Sequence, residues 1–500
     1  MRSTPSALSP NPVAAFLNKA PADITKKDLV RYIAEKGIRM VKFRYVGGDG
    51  RLKTLDFVIS GPQHLDRLLS TGERVDGSSL FSYIDSSSSD LYVVPRYRTA
   101  FLDPFAEIPT LDILCAFYTS TGQRLPSSPE NVVRRAQDVL QERTGFTLEA
   151  MGELEYYILS ERQPFYPITA QKGYHESAPF SKWEKLRTDA MAAIAQAGGA
   201  IKYAHCEVGH IRGEDQEMSQ HEIEFLPVPI ADAADQIVIA KWILSVLGLK
   251  SGVRVSFAPK ISVGHAGSGL HIHSRLMKGG RNAMVAKGAL SDPARRLIAG
   301  YLTMAPSLTA FGNTVPTAYL RLVPHQEAPT NICWGERNRS TLIRVPLGWL
   351  HAADMLKDAN PRERACPEAG AQSQTVEFRA PDGSAQIHLL MAGLAVAARH
   401  GLGMRDALGV ARRLHVDGNV FAPENKALQA ELPQLPASCA ESAECLLRDR
   451  AVYEADGVFS PMVVDGMARR LQAFNDRDLS ERLFGKEEEI KKLVDEFLYC

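Results

Sequence analysis

The stretch Met151-Gly152-Glu153-Leu154-Glu155-Tyr156-Tyr157-Ile158-Leu159 decides the reading of this chain. Side chains alternate across a strand, so Leu154, Tyr156 and Ile158 share one face while Glu153, Glu155 and Tyr157 share the other, giving a strand packed on one side and wet on the other. A single carboxylate pair of this kind is ordinarily a solvated surface feature, because exposure is the default for glutamate. The chain repeats the spacing, however, at Glu222 and Glu224, at His271 and His273, and at Glu377 and Arg379. Laid side by side, such strands line a cavity with carboxylates and imidazoles, which is the chemistry of a polyvalent metal site. Gly267-Ser268-Gly269, just ahead of His271, allows close backbone approach at that place.

Working outward, the 500 residues are enough for two or more domains with full cores. Lysine plus arginine (58) equals aspartate plus glutamate (58), and no basic run stands out, so nucleic acid and anionic membrane are excluded as expected partners. The seven cysteines are odd in number, scattered and in no C-x-x-C arrangement. That pattern argues against a disulfide framework or a zinc cluster and predicts a reducing, cytoplasmic setting. The apolar run 237–249 is too short to span a bilayer and carries Lys241. The first 23 residues, rich in Ser, Pro and Ala and without a long apolar run, read as a flexible arm and not a signal peptide.

A helix is predicted after Thr25 as N-cap, with Leu29, Val30 and Ile33 on its apolar stripe and Gly37 as its stop. A hairpin follows, Val41, Phe43 and Tyr45 leading into the turn Gly47-Gly48-Asp49-Gly50 and back through Leu55, Phe57 and Ile59. This defines a small α+β module over 24–124. Ser128 and Pro129 then suit N-cap and N1 of a helix to about Arg143, opening a larger domain over 125–500 in which strands alternate with helices, such as one near 229–248. The stretch 356–374 reads as a loop, and the charged amphipathic segment 486–498 as a packing or subunit-contact helix.

Four blocks stand in order: Asp76-Gly-Ser-Ser, the Glu153/Glu155 strand, Gly267 to His273, and Arg321 to Arg344, which contains Arg321-Leu-Val-Pro-His-Gln-Glu-Ala-Pro and Arg337-Asn-Arg339-Ser. With Glu377-Phe-Arg379-Ala-Pro-Asp382 closing the series, the chain resembles the glutamine synthetase family over about 25–400. The resemblance implies an α+β fold: a small N-terminal β-grasp-like domain on a large catalytic domain whose antiparallel strands form a funnel flanked by helices. It also implies ATP-dependent formation of glutamine from glutamate and ammonia through a γ-glutamyl phosphate. The metal ligands carried over are Glu153, Glu155, Glu207, Glu222, His271 and Glu377, an oxygen-rich set with one imidazole that suits two or three Mg²⁺ or Mn²⁺ ions. Asp76 takes the ammonium pocket and Glu327 a flap shielding the intermediate from water. Gly267, Arg321 and Arg379 fall at the substrate glutamate, Arg339 at the transferring phosphate, and His273 and Arg344 at the nucleotide. The family's assembly implies homo-oligomeric rings, a dodecamer of two hexamers, with sites between subunits.

The chain also departs from the family pattern. An insert between Glu207 and Glu222 brings His210, Glu214 and Glu217 as rival ligands. Ala266 replaces an asparagine before Gly-Ser-Gly, Thr375 and Val376 replace a basic pair, and Gln386-Ile387-His388 replaces Asn-Pro-Tyr. These changes are expected near substrate and nucleotide, and they keep two alternatives in view: a γ-glutamyl amine or polyamine ligase, and a non-catalytic assembly of the same fold.

Overall fold

The computed structural model describes residues 9–323, 328–348, 355–364 and 371–500. Its first domain begins with Thr25, whose hydroxyl accepts from the Asp28 amide while the Asp28 carboxylate accepts from the Thr25 amide, a capping box that starts the helix Lys26–Glu35. Leu29, Tyr32 and Ile33 of that helix are buried against a sheet in the order Leu52–Val58, Met40–Val46, Thr110–Tyr118, Asp90–Pro95, Glu73–Asp76. The hairpin is antiparallel with Val46 opposite Leu52, whereas Met40–Val46 runs parallel to Thr110–Tyr118.

The N-terminal arm proves different from its expectation. Residues Pro12–Leu17 form a helix capped by the Asn11 side chain, and Val13, Ala14 and Leu17 are buried. Val13 and Leu17 join the core made by Leu29, Phe43 and Ile113. Asn11-Pro12 is a cap followed by proline at the first helical position, a start signal hidden within a Ser/Pro/Ala-rich composition.

In the larger domain, seven strands follow in the order Trp334–Glu336, Ile343–Val345, Val376–Phe378, Leu270–Lys278, Thr147–Glu161, Gln216–Phe225 and Ile201–Arg212. All neighbours are antiparallel except the first two. One face is apolar: Leu154, Ile223, Leu270, Ile272 and Phe378 share a core with Val133, Ile237, Leu297 and Leu390 of the helices Pro129–Thr144, Ile230–Lys250, Asp292–Gly312 and Ile387–Gly403. Gly152 permits the close packing of helix on sheet, since a Cβ there would meet Ile237 Cδ1 at 2.8 Å. The 356–374 segment, read as a loop, carries the short helix Met355–Ala359 and a 3-10 turn at Ala371–Ser373. After the helix Glu487–Glu496, Ser256 Oγ donates to the Leu498 carbonyl (2.6 Å) and Arg51 to that of Tyr499 (2.6 Å), so this segment ties hairpin to catalytic sheet. No single helix among the described residues is long and apolar enough to cross a membrane.

The two domains meet across a buried ion network. Arg96, just past the strand Asp90–Pro95, donates to both oxygens of Asp235 (2.9 and 3.1 Å), and His388 Nε2 lies 3.0 Å from Asp235 Oδ1. Gln386 fills the space beside Gly50 of the hairpin turn, where a Cβ would meet its Nε2 at 3.0 Å. The substitutions Gln386 and His388, expected near substrate, therefore belong to the domain junction.

Candidate active site

Register brings the polar pairs together. Glu153 stands opposite Glu224 on one side and His271 on the other, Glu155 opposite Glu222, His273 opposite Glu377, and Glu377 opposite Arg344. Glu153, Glu155, Glu222, His271, Glu377 and Arg344 form the floor of a cavity of about 500 Å³, whose lining includes all six expected metal ligands together with Gly267, Arg321, Arg339 and Arg379. The strand is not wet on its polar side as first read: Tyr157 is fully buried, and its hydroxyl donates to the Ala266 carbonyl at 2.9 Å.

Three groups of potential ligands emerge among the described residues: Glu153 with Glu224 and His273, the last two off the cavity lining, and two on the floor. Glu153, His271 and Glu377 place donor atoms within 4.8 Å of one another, with His271 Nδ1 at 3.0 Å from Glu153 and 3.7 Å from Glu377. His205, Glu207 and Glu222 form the second, with His205 Nε2 at 3.3 Å from Glu222. Glu155 lies between them, 4.0 Å from His271 Nδ1 through one oxygen, while the other accepts from the Gly269 amide (2.7 Å) and Gln220 Nε2 (3.0 Å). Gly269 is needed there, because a Cβ would sit 2.7 Å from both the Arg321 guanidinium and His271 Nε2. His205 was missed by the sequence reading, although His205 and Glu207 repeat the same alternate spacing on a neighbouring strand.

Electrostatics divide this floor, the Glu222 end being short of positive charge while Glu153 and Glu377 have cationic neighbours. Burial pushes the Glu222 carboxyl well above its usual range, and Glu153, Glu155, Glu207 and Glu224 push it further. Burial would also raise Glu153, but the imidazoles of His273 and His271 outweigh it and hold that carboxyl low. Burial and Glu153 act upward on Glu377, and His273, Arg379 and His271 bring it below the ordinary value. Arg344 and Arg379 both clamp Glu377, at 2.8 and 3.1 Å, so the guanidinium groups are oriented by a floor carboxylate. The carboxylate-rich donor set with single imidazoles fits hard divalent cations such as Mg²⁺ or Mn²⁺.

Other expected residues sit elsewhere. His273 is 5% exposed, Nε2 donating to Glu153 (2.8 Å) and Nδ1 meeting the Thr375 hydroxyl (3.0 Å), so it braces Glu153 from behind the cavity lining. Thr375, standing in for a basic residue, supports that histidine. Asp76 is exposed on the first domain and caps the short helix Gly77–Leu80, with Ser78 and Ser79 hydroxyls donating to it at 2.7 and 2.6 Å; it is not part of this chain's cavity lining. Glu327 lies outside the described residues. Of the rival ligands, Glu217 pairs with Lys182 at 2.8 Å, His210 is buried off the cavity and Glu214 is exposed outside its lining; the substituted position Ala266 does line it.

Comparison with known proteins agrees with this geometry. Residues 37–120 match the model of the glutamine synthetase β-grasp domain and residues 126–470 that of the glutamine synthetase catalytic domain. Glutamine synthetase of Thermotoga maritima is 28% identical over 448 residues, covering 87% of this chain and 92% of that protein. The enzyme of Streptomyces coelicolor is 28% identical, with 88% and 92% covered. Among solved structures, Plasmodium falciparum glutamine synthetase superposes with a TM-score of 0.74 at 19% identity (93% and 99% covered), and a GmaS complex with ADP with 0.71 at 17% (93% and 99%). With both domain models matched in order and the carboxylate floor in place, the chain belongs to the glutamine synthetase family of ATP-dependent carbon–nitrogen ligases.

Proposed function

We propose that this chain joins the γ-carboxylate of glutamate to an amine through a γ-glutamyl phosphate made from ATP, the product with ammonia being glutamine. The observation that carries the proposal is the floor itself: buried carboxylates in two groups beside guanidinium groups, within one cavity. Glu153, His271 and Glu377, and His205, Glu207 and Glu222 with Glu155 between, would hold divalent cations, whose contribution when bound would be to neutralise phosphate charge. Arg321 and Arg379 offer planar forks suited to a substrate carboxylate, and Arg339 and Arg344 to phosphate. The rest of the work is positioning and exclusion of water, since an acyl phosphate hydrolyses once water enters.

Asp76 is assigned to the amine of a neighbouring subunit's site, which requires the homo-oligomeric rings expected of the family. A second reading, with an organic amine in place of ammonia, is favoured by Ala266 on the cavity wall and by the aromatic rings at its rim. The test is phosphate release from ATP and Mg²⁺ with glutamate, adding ammonium or one amine at a time and identifying the amide by mass. Release that requires glutamate and an amine, with the matching amide formed, supports the ligase; ATP binding without turnover in any combination refutes it in favour of a non-catalytic assembly.

A further inference from the structure

Beneath the cavity, a single side chain spans the places expected of cation and substrate. Gln220 stands opposite Tyr157 on Gln216–Phe225 and is 2% exposed, with both ends of its amide bonded. Its Oε1 accepts from the Gly209 amide (3.1 Å), while its Nε2 donates to Glu155 Oε2 (3.0 Å) and to the Gly267 carbonyl (2.9 Å). A backbone N–H can only donate, so Gly209 fixes which end of the Gln220 amide carries the protons, and both protons go to Glu155 and Gly267.

The neighbouring strand is shaped to receive this side chain. Between Cys206 and His210 the ladder of Ile201–Arg212 shifts register, and a Cβ at Gly209 would collide with the Tyr157 hydroxyl and Gln220 Oε1. On one side of Gln220, Glu155 has Oε2 held also by the Gly269 amide at 2.7 Å, which leaves its other oxygen turned to His271 on the floor. On the other side, Gly267 lies against the Arg321 stem, where a Cβ would meet Arg321 Cγ at 3.0 Å.

We propose that Gln220 is a positioning residue that sets the seat of the substrate glutamate at a fixed offset from the cation ligand Glu155; the proposal rests on the ligase reading above. Gln220 acts through these two groups. One planar amide aims the free oxygen of Glu155 at the floor and holds the Gly267 carbonyl beside Arg321, so a displacement of either is passed to the other. Without that donor, Glu155 Oε2 keeps the Gly269 amide alone and turns more freely.

The experiment uses the full chain with two substitutions. Gln220→Leu removes every polar atom of the amide, and Gln220→Glu keeps its shape and the acceptor for Gly209 but sets a carboxylate against Glu155 and the Gly267 carbonyl. Calorimetric titration of Mn²⁺, without nucleotide or glutamate, should show affinity lowered about 10- to 100-fold in both. At saturating Mn²⁺ the KM for glutamate should rise about five- to tenfold while that for ATP stays within about twofold, a split that a merely structural role would not produce. Circular dichroism and the thermal midpoint check folding, and Gln220→Glu reads the function should Gln220→Leu fail to fold. Mn²⁺ affinity and glutamate KM unchanged from wild type in a folded variant leave the ligase standing and overturn this inference. KM values for glutamate and ATP that rise together also overturn it, by making Gln220 a support of the fold alone. A wild-type protein that forms no amide with any amine removes the ligase reading and this inference with it.

Discussion

The buried charge networks at the domain junction and on the cavity floor differ in balance. At the domain junction, Asp235 faces Arg96 in two-pronged contact and His388 as well, so the carboxylate has its partners within the protein. On the cavity floor, Glu222 faces Glu153, Glu155, Glu207 and Glu224, while His271, His273 and Arg379 act on Glu153 and Glu377, so the Glu222 end is left short of positive charge. Residue types and burial are alike in the two places. A compensated network holds a fold together, whereas an uncompensated one is held for a cation that comes from outside.

The sharpest way to break the comparison is to remove one partner at the junction. Asp235→Ala leaves Arg96 buried without its anion and should cost about 3–5 kcal/mol in unfolding free energy. Burial would raise the Asp235 pKa, but Arg96 and His388 more than offset it and hold it below 3.8. The carboxylate therefore stabilises the fold above its unfolded value, and the difference between wild type and variant should shrink as pH falls below about 4. Denaturant unfolding at pH 7 and at about pH 2.5 checks both statements. On the floor, Glu155→Gln removes a first ligand and should lower turnover by more than about 100-fold, beyond what losing an outer-shell partner costs a metal site.

The same floor predicts an opposite sign for stability. Glu222→Gln relieves repulsion, so metal-free variant protein should be more stable than metal-free wild type, by about 1 kcal/mol, while losing activity. A loss of stability instead would mean that the floor is balanced after all. The smallest effect lies far from either network: Thr25→Ala removes a helix cap and should cost about 1 kcal/mol with turnover unchanged.

Alternation made the floor legible. Once Glu153 and Glu155 are placed on a strand, the period of two fixes which neighbours share their face, and antiparallel register then sets Glu222, Glu224, His271 and Glu377 beside them. His205 carries the same signal on Ile201–Arg212, two residues before Glu207. The helix after Thr25 and the hairpin were legible from capping and turn chemistry. The junction was not, because nothing local in Gln386-Ile387-His388 says that its partners are Gly50 and Asp235, more than a hundred residues away. His273 misled for a related reason: spacing puts it on the polar face, but only the fold shows that Glu153 and Thr375 occupy both its nitrogens.

The central claim, that the floor is a divalent-cation site awaiting its ion, is tested most directly by calorimetric titration of Mn²⁺ or Mg²⁺ into chelator-stripped protein, alongside its thermal midpoint. The account predicts saturable binding, a midpoint that rises with the ion, and loss of both in Glu155→Gln. Binding that is absent, or unchanged by that substitution, would contradict it.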